Sequence, residues 1–393
     1  MGRTLKSAGG FTLIEMTISA AIGLALIAAA AQLYSKALAM SVVTAQKAQL
    51  QQDFRAASNL LQRDISMAGA GALGQQGLST NGVALPTSVT LPVYPCTALV
   101  TCNYINGAPV AYPTTGGVPY LYSIIPGPSV GITVNAAQGP TDIISVVTAD
   151  INLSLNCYVA TMNAGGTIAT FQLPTVQLST CVLPSNVAAP QALNAAAPVG
   201  LQVGDMIMFG TKVIGIVTGT VGVCAPNPPA TYSACYTVPF TLNADPGHID
   251  QTAGSGSLTD FGGQVMAPGV RLQMVTYYLA IPASTGLPTL MRIQNGQQPA
   301  PVAENVVYLK FTYDVMNSGT VDANQASLPA GTTPGMITKV NIAHLSMRSQ
   351  GRDNWARSAL SQYQGFEGLD LQTSISARNL TSQQEYPITG TSY

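Results

Sequence analysis

Residues able to carry out chemistry are scarce in this chain, because only 8% of its 393 residues are charged. The two histidines, His248 and His344, are far apart and do not have zinc-ligand spacing. The sequence contains no G-x-S-x-G, phosphate-binding P-loop or H-E-x-x-H motif. Gly254-Ser255-Gly256 is typical of a flexible linker. We therefore predict that the protein is not an enzyme.

One segment between two predicted strands is rich in oxygen-bearing side chains. Asp314, Asn317 and Asp322 are its weak candidates for a calcium site, because oxygen ligands at alternating positions can hold calcium. Aspartate, asparagine and glycine are equally the residues of an ordinary hairpin loop. The sequence leaves both interpretations open and predicts no other cofactor.

The even number of six cysteines favours disulfides, since no C-x-x-C pair is present. Disulfides are typical of an oxidising compartment, which an export signal would also indicate. The sequence alone does not fix their connectivity, and an alternative leaves one pair as buried thiols. The nearest-neighbour hypothesis gives the pairs Cys96 and Cys102, Cys157 and Cys181, and Cys224 and Cys235.

The elements that would position any site begin with an apolar N-terminal segment. Arg3 and Lys6 precede it without an acidic residue, which is the positive-inside pattern. Residues Phe11–Leu33 contain a single charge, Glu15, and as a helix they would span roughly 34 Å, enough for a bilayer core. A charge inside a bilayer costs on the order of a few kcal/mol, so Glu15 requires a partner. A cleaved secretory signal peptide, the competing interpretation, would have a shorter apolar core.

The helical pattern continues past this segment, since no proline occurs before Pro86. Apolar residues recur at steps of three and four with charged residues between them, which predicts an amphipathic helix. The glycine cluster beginning at Gly69 ends the pattern. The sequence thus predicts one helix from about residue 11 to residue 67, on the order of 85 Å long. Its apolar positions are Leu38, Val42, Ala45, Leu50, Phe54, Ala57, Leu61, Ile65 and Ala68.

The segment Gly9-Gly10-Phe11-Thr12-Leu13-Ile14-Glu15 resembles the prepilin signature of type IV pilins and type II secretion pseudopilins. The resemblance implies that a prepilin peptidase cuts between Gly10 and Phe11 and that Phe11 is then N-methylated. It also implies that Glu15 meets the charged amino terminus of a neighbouring subunit. Such a pair would fix the register of packed subunits, because a misplaced subunit leaves a bare charge in apolar surroundings.

The helix end narrows the resemblance to one family. Leu60-Leu61-Gln62-Arg63-Asp64-Ile65-Ser66-Met67-Ala68-Gly69, together with Ala21-Ile22-Gly23-Leu24, resembles the PilW family of minor pilins. Ser66 departs from the basic residue usual there, and the aromatic residue expected after Gly69 is missing. Arg63 and Asp64 are adjacent and point in different directions. We expect them to pair with the distal domain or a neighbouring subunit, or else to lie on a solvated face.

The resemblance implies a non-catalytic role in starting a pilus or forming its tip, with links to adhesion and motility. The expected partners are the prepilin peptidase, other minor pilins, the major pilin and a tip adhesin. The expected location is the inner membrane, as a single-pass protein with a periplasmic domain, and later the pilus at the cell surface. A minor pseudopilin of type II secretion is one alternative, and a membrane-anchored binding protein that never assembles is another. A net charge of −1 gives no strong nucleic-acid signal.

The predicted fold class is α+β, with a long N-terminal helix packed on an antiparallel β-rich globular domain. The predicted strands are Asp142–Thr148, Ala169–Leu173, Asp205–Phe209, Lys212–Thr218, Val270–Ala280, Thr289–Gln294, Val306–Val315, Ile337–Arg348 and Asp370–Ala377. The predicted division is a leader at 1–10, a transmembrane half-helix at 11–34, an amphipathic half-helix at 35–68, a loop-rich β region with disulfides at 69–263 and a C-terminal antiparallel sheet at 264–393.

Overall fold

The computed structural model describes much of the chain between Thr12 and Ser376. The described residues are 12–70, 83–84, 114–115, 118–150, 152–179, 181, 183, 187–196, 199–210, 213–224, 231–240, 257–266, 269–295, 298–348 and 368–376. Within these ranges the chain forms one α-helix, α1 (Leu13–Ser66), and nineteen β-strands. The strands are β1 (Val83–Ala84), β2 (Thr114–Thr115), β3 (Val118–Leu121), β4 (Ile124–Gly127), β5 (Ile143–Asp150), β6 (Val159–Met162), β7 (Ile168–Pro174), β8 (Met206–Phe209), β9 (Val213–Ile216), β10 (Gly222–Val223), β11 (Tyr232–Pro239), β12 (Val265–Met266), β13 (Gly269–Ala280), β14 (Thr289–Gln294), β15 (Ala300–Glu304), β16 (Val306–Asn317), β17 (Thr320–Gln325), β18 (Ile337–Arg348) and β19 (Gly368–Ser376).

Helix α1 is continuous because its sequence contains no proline and only one glycine, Gly23. Its 54 residues give a length of about 81 Å. It ends where Met67 N donates to Arg63 O at 3.1 Å and Gly69 adopts a φ of 72°, a conformation that glycine takes without Cβ strain. The predicted single long helix is therefore confirmed, and it ends at Ser66, three residues before Gly69, the first glycine of the cluster expected to stop it.

The two ends of α1 have different surroundings. The large apolar side chains from Leu13 to Leu38 are exposed, whereas the face beginning at Leu50 is buried against strands. The predicted amphipathic half begins at residue 35, but Leu38 and Ala45 are exposed. The covered face starts later because the strands that pack on α1 reach only its last turns. Its buried residues are Leu50, Ala57, Leu61, Ile65 and Ala68.

A seven-stranded antiparallel sheet forms the centre of the β structure, in the order β15-β14-β13-β5-β4, with β8 paired to β13 and β9 paired to β8. Strand β13 is the hub, because it pairs with β14, β5 and β8 along different parts of its length. Its burial on both faces reflects this central position. One face of this sheet receives α1, and the other forms a separate apolar cluster with β8 and β9.

Three further antiparallel sheets are described, of which the smallest has the strand order β1-β3-β2. The four-stranded sheet β17-β16-β18-β19 shares an apolar cluster with α1 and the seven-stranded sheet. The five-stranded sheet β10-β11-β7-β6-β12 has its own apolar cluster around Phe171, Phe209 and Phe240. We call the strands β3–β19 and the segment Leu50–Ala68, which includes the end of α1, the head. The α+β class is thus observed, with one long helix on a large antiparallel β domain.

The division between residues 69–263 and 264–393 does not coincide with a boundary between sheets. Strand β5 lies in the first region and β13 in the second, yet they pair from Arg271–Asp150 to Tyr277–Ile144. The first region also contains more regular structure than the loop-rich description predicts, including β6 and β11. Strands β14 and β18 have the predicted bounds, and the other predicted strands differ by a few residues at their ends.

Candidate functional site

The beginning of α1 forms a capping box that engages Glu15. Glu15 Oε2 accepts hydrogen bonds from Thr12 N and Thr12 Oγ1, both at 3.0 Å, and Glu15 N donates to Thr12 Oγ1 at 3.3 Å. Such a box satisfies backbone N–H groups that have no partner at a helix start. Glu15 therefore has a local role in addition to any role between subunits. Gly10 and Phe11, the predicted cleavage and methylation position, lie outside the described residues.

The segment Leu13–Leu38 of α1 is long and apolar enough to span a membrane. It comprises 26 residues with a mean hydropathy of 2.0, and none of it is buried by the rest of the chain. A soluble protein rarely leaves so much contiguous apolar surface exposed. The exposed segment therefore requires another apolar environment.

Asp64 joins the other end of α1 to the seven-stranded sheet. Its Oδ2 accepts from Tyr277 Oη at 2.7 Å and from Arg292 Nε at 2.9 Å. Tyr277 on β13 and Arg292 on β14 are directly opposite each other in the sheet register, so one carboxylate contacts both strands. Sequence reasoning left open whether Asp64 faces the head or another subunit, and the structure places it against the head.

Burial and the charge of Asp64 shift the pKa of Tyr277 in the same direction and that of Arg292 in opposite directions. Burial, followed by the negative charge of Asp64 and the hydrogen bond to it, raises the pKa of Tyr277. Burial alone would lower the pKa of Arg292, but the hydrogen bond and charge of Asp64 outweigh it, so the pKa is raised. Tyr277 therefore stays a hydrogen-bond donor and Arg292 stays a cation. Both are the forms that a buried carboxylate needs.

The chain that follows α1 also bonds to the sheet. Gly69 N donates to Val147 O at 2.9 Å, and Ala149 N donates to Ala70 O at 2.8 Å. Both bonds involve β5, the neighbour of β13. The end of α1 is thus attached to three adjacent strands, through Asp64 to β13 and β14 and through the backbone to β5. Arg63, next to Asp64, is exposed.

A second buried charge cluster joins β13 to β5. Arg271 of β13 forms ion pairs with Asp150 of β5 and with Asp205, and its Nη1 also donates to Gly200 O at 2.9 Å. Burial raises the pKa of Asp205, against the opposing effects of the Gln202 backbone N–H and the Arg271 charge. Asn295 Nδ2 donates to Asp205 Oδ1 at 3.3 Å. This cluster holds the segment before β8 against the sheet.

A third ion pair, between Asp142 and Lys310, links the segment before β5 to the four-stranded sheet. Asp142 accepts from Lys310 Nζ at 2.7 Å, from Ser129 N at 2.7 Å and from Phe311 N at 2.8 Å. Three donors around one buried carboxylate satisfy most of its acceptor sites. Asp142 thereby ties the start of β5 to β16, which places the two sheets that receive α1 next to each other.

Three residue types used in nucleophilic catalysis meet at β18 and β19, but their geometry differs from that of a catalytic triad. Asp370 accepts from Ser346 Oγ at 2.7 Å and lies 2.9 Å from His344 Nδ1. Among the described hydrogen bonds, none joins Ser346 to His344, which is the contact that would activate the serine. Ser346 is also fully buried. The cluster ties β18 to β19.

Two disulfides lie in the five-stranded sheet and the segments next to it. Cys157 is bonded to Cys181, and Cys224 to Cys235. These are the two pairs that the nearest-neighbour hypothesis assigns to these four cysteines. The third predicted pair, Cys96 and Cys102, lies outside the described residues. Cross-links at this position stabilise a part of the β structure whose apolar cluster is separate from the cluster that contains α1 residues.

The weak calcium candidates lie in the hairpin of β16 and β17. Ser318 and Gly319 join the strands with φ values of 50° and 87°, the positive pair of a tight hairpin turn. Asn317 Nδ2 donates to Asp322 Oδ2 at 2.9 Å, and Asp314 Oδ1 accepts from Asn324 N at 2.9 Å. Within the described ranges, no group of three or more His, Cys, Asp and Glu side chains converges as metal ligands. The hairpin interpretation accounts for these contacts, and calcium binding stays a prediction.

The described contacts join an exposed apolar helix to a β domain through several independent attachments. Comparisons with family models, with curated proteins and with solved structures find no match to this chain. The arrangement fixes the head relative to the helix axis. The end of α1 near Asp64 is attached by an ion pair, hydrogen bonds and apolar contacts, and its beginning has capping hydrogen bonds.

Proposed function

We propose that this chain is a minor type IV pilin of the PilW-like kind, which takes part in pilus initiation or in the tip complex without catalysing a reaction. In this proposal the chain sits in the inner membrane through Leu13–Leu38, with its head in the periplasm. A prepilin peptidase cuts between Gly10 and Phe11, and Phe11 is methylated. The processed subunit then joins other minor pilins and the major pilin, and its head faces a partner such as a tip adhesin.

The observation that carries the proposal is the continuity of α1. A simple membrane anchor needs only a spanning segment and a linker, and it gains nothing from a rigid connection to its domain. Here one helix of 54 residues runs without a break from exposed apolar surface into the core of the head. Such a helix transmits its own position in a bundle to the head, which is what a filament subunit requires.

The local role of Glu15 gives a sharp test of the subunit-pairing hypothesis. A capping box works with glutamine as well as with glutamate, so Glu15→Gln keeps the cap and removes the charge. If the charge pairs with a neighbouring amino terminus, both Glu15→Gln and Glu15→Ala will lose incorporation into surface filaments. If Glu15 serves only as a cap, Glu15→Gln will assemble normally and Glu15→Ala alone will be impaired. Normal assembly of both variants would contradict the proposal.

The role itself is tested by the amount of major pilin in the sheared surface fraction of a strain lacking this chain. We expect surface filaments to fall sharply and to return with the intact gene. Filaments that persist unchanged would rule out initiation of that pilus. A loss of secreted substrates in the same strain would then support the type II secretion alternative. An intact Gly10–Phe11 bond in the membrane fraction would support a non-assembling anchored protein.

A further inference from the structure

An open cleft lies where the end of α1 meets the seven-stranded sheet, beside the Asp64 contacts. Its volume is about 300 Å³, which is at the lower end of the range for small-molecule sites. Both the helix side and the sheet side of the cleft contribute apolar and polar side chains to its lining. The apolar lining residues include Leu60, Met67 and Val275, and the polar ones include Arg63, Arg292 and Gln273.

The two arginines of the cleft retain hydrogen-bonding capacity. Arg292 uses Nε for Asp64 at 2.9 Å and Nη1 for Gln294 Oε1 at 3.3 Å, whereas a guanidinium carries about five N–H donors. Arg63 is exposed, and its side chain donates no recorded hydrogen bond to any described residue. Two guanidinium groups with donors to spare, lining one cleft, are suited to a planar oxyanion such as a carboxylate.

The charge balance of the cleft also favours an anionic ligand. Arg63 and Arg292 carry positive charges and Asp64 carries one negative charge, so the lining has a net charge of +1. Asp64 would repel an incoming anion, but its charge is already offset by Arg292 and its Oδ2 by two donors. Arg63 is therefore the cation left to pair with a ligand. The apolar side chains of the lining favour a ligand whose anionic group is carried on a short hydrocarbon stem.

We propose that this cleft binds a carboxylate carried on a short apolar stem. A free short-chain acid and a glutamate side chain of another polypeptide share this chemistry. The inference stands on the lining of the cleft alone and does not depend on the proposed role in a pilus. It adds a ligand site at the junction that fixes the head on α1.

The test uses the full-length chain in detergent micelles and saturation-transfer NMR, with empty micelles as the blank. Butyrate is the free-acid probe, N-acetyl-Ala-Glu-Ala-amide is the peptide probe, and butylamine is the cationic control. We expect saturable butyrate binding that Arg63→Gln weakens roughly tenfold, the loss typical of one charge-assisted hydrogen bond. Arg63→Lys should weaken it less. Arg55→Gln, an exposed arginine on the same helix outside the cleft, should leave it unchanged.

The outcomes distinguish a protein side chain from a free acid as the source of the carboxylate, and they also decide whether the proposal holds. A peptide that displaces butyrate and binds more tightly assigns the site to a protein side chain. Butyrate binding that the peptide does not displace assigns it to a free acid. The proposal is overturned if neither probe binds saturably, if Arg63→Gln binds as well as the unmodified chain, or if butylamine binds as well as butyrate. A urea unfolding curve for each variant shows that the head is intact, so a folding defect is not mistaken for lost binding.

Discussion

The two carboxylates at opposite ends of α1, Glu15 and Asp64, differ in burial and in their hydrogen-bond partners. Glu15 is exposed and its partner is Thr12, three residues away on the same chain segment. Asp64 is 6% exposed, and its partners Tyr277 and Arg292 come from two strands far along the sequence. A carboxylate paired across such a distance in sequence specifies tertiary structure. A carboxylate paired only with its own cap leaves the helix end free to contact something else.

The apolar residues around the two carboxylates also differ in burial. Near Asp64, Leu61 and Ile65 are fully buried in the cluster shared with two sheets. Near Glu15, Leu13 and Ile14 are exposed although they are equally apolar. Apolar helix residues therefore pack into the head at the end near Asp64. At the end near Glu15 they are exposed and available for contact with a membrane or with other helices. The stability of the head should depend on the buried apolar residues near Asp64 and should not depend on the exposed ones near Glu15.

The largest difference is expected for Leu61→Ala compared with Leu24→Ala. Leu61 is fully buried, so its truncation leaves a cavity and should lower the free energy of unfolding of the head by about 3 kcal/mol. Leu24 is 68% exposed in the apolar segment, so its truncation should leave head stability unchanged. Urea unfolding followed by circular dichroism in micelles would measure both. Equal losses would mean that the head and the apolar segment unfold as one unit.

The next largest effect is expected for Asp64→Ala. Arg292 and the Tyr277 hydroxyl would lose a shared acceptor in a largely buried place, so we expect a loss of roughly 2–3 kcal/mol in the free energy of unfolding. Asp53→Ala, on the same helix but outside this cluster, serves as the control and should change it by less than about 0.5 kcal/mol. Similar midpoints for the two variants would show that Asp64 does not anchor the helix.

A smaller effect is expected for Tyr277→Phe. The substitution removes one hydrogen bond to the charged Asp64 and keeps the ring that fills the core, so the loss should be about 1–2 kcal/mol. Asp64 keeps Arg292 as a partner, which makes this variant milder than Asp64→Ala. In the double variant Asp64→Ala/Tyr277→Phe the two losses of unfolding free energy should not add, because each substitution removes the same hydrogen bond. Full additivity would show that Tyr277 and Asp64 act independently.

The smallest effect on the head is expected for Glu15→Gln. The cap is retained and the residue is remote from the strands, so the free energy of unfolding of the head should stay within about 0.5 kcal/mol of the parent value. The same variant is expected to fail in filament assembly. A destabilised head would instead mean that the helix start is coupled to the folding of the β domain, and the contrast between the two carboxylates would disappear.

Sequence patterns predicted the elements with strong periodicity. The long helix and strands β14 and β18 follow from apolar spacing and from turn residues at their ends. Strands β4 and β15 were not predicted. Pro126 lies in β4 and Pro301 lies in β15, and proline argues against a strand unless the strand is at an edge. Both strands end the path of the seven-stranded sheet, where a missing N–H is tolerated.

The partners of the charged residues could not be predicted from local pattern. Asp64 and Arg292 are adjacent only because β13 and β14 pair and α1 crosses them, and periodicity carries no information about such long-range pairing. One signal was available. In a chain with 8% charged residues, an isolated aspartate such as Asp142 or Asp150 at the end of an apolar strand is at risk of burial and so requires a cation. The arginines and lysines of the strands are few, so they are the candidate partners of these aspartates.

The bonds between Gly69, Ala70 and strand β5 have a mechanical consequence. If α1 is pulled along its axis while the head is held, the load passes into β5 through Gly69 N and Ala70 O and into β13 and β14 through Asp64. Three neighbouring strands of one sheet then share the tension, and no single hydrogen bond carries it. A head attached in this way resists traction, because α1 should come away from the sheet only after these separate attachments have broken.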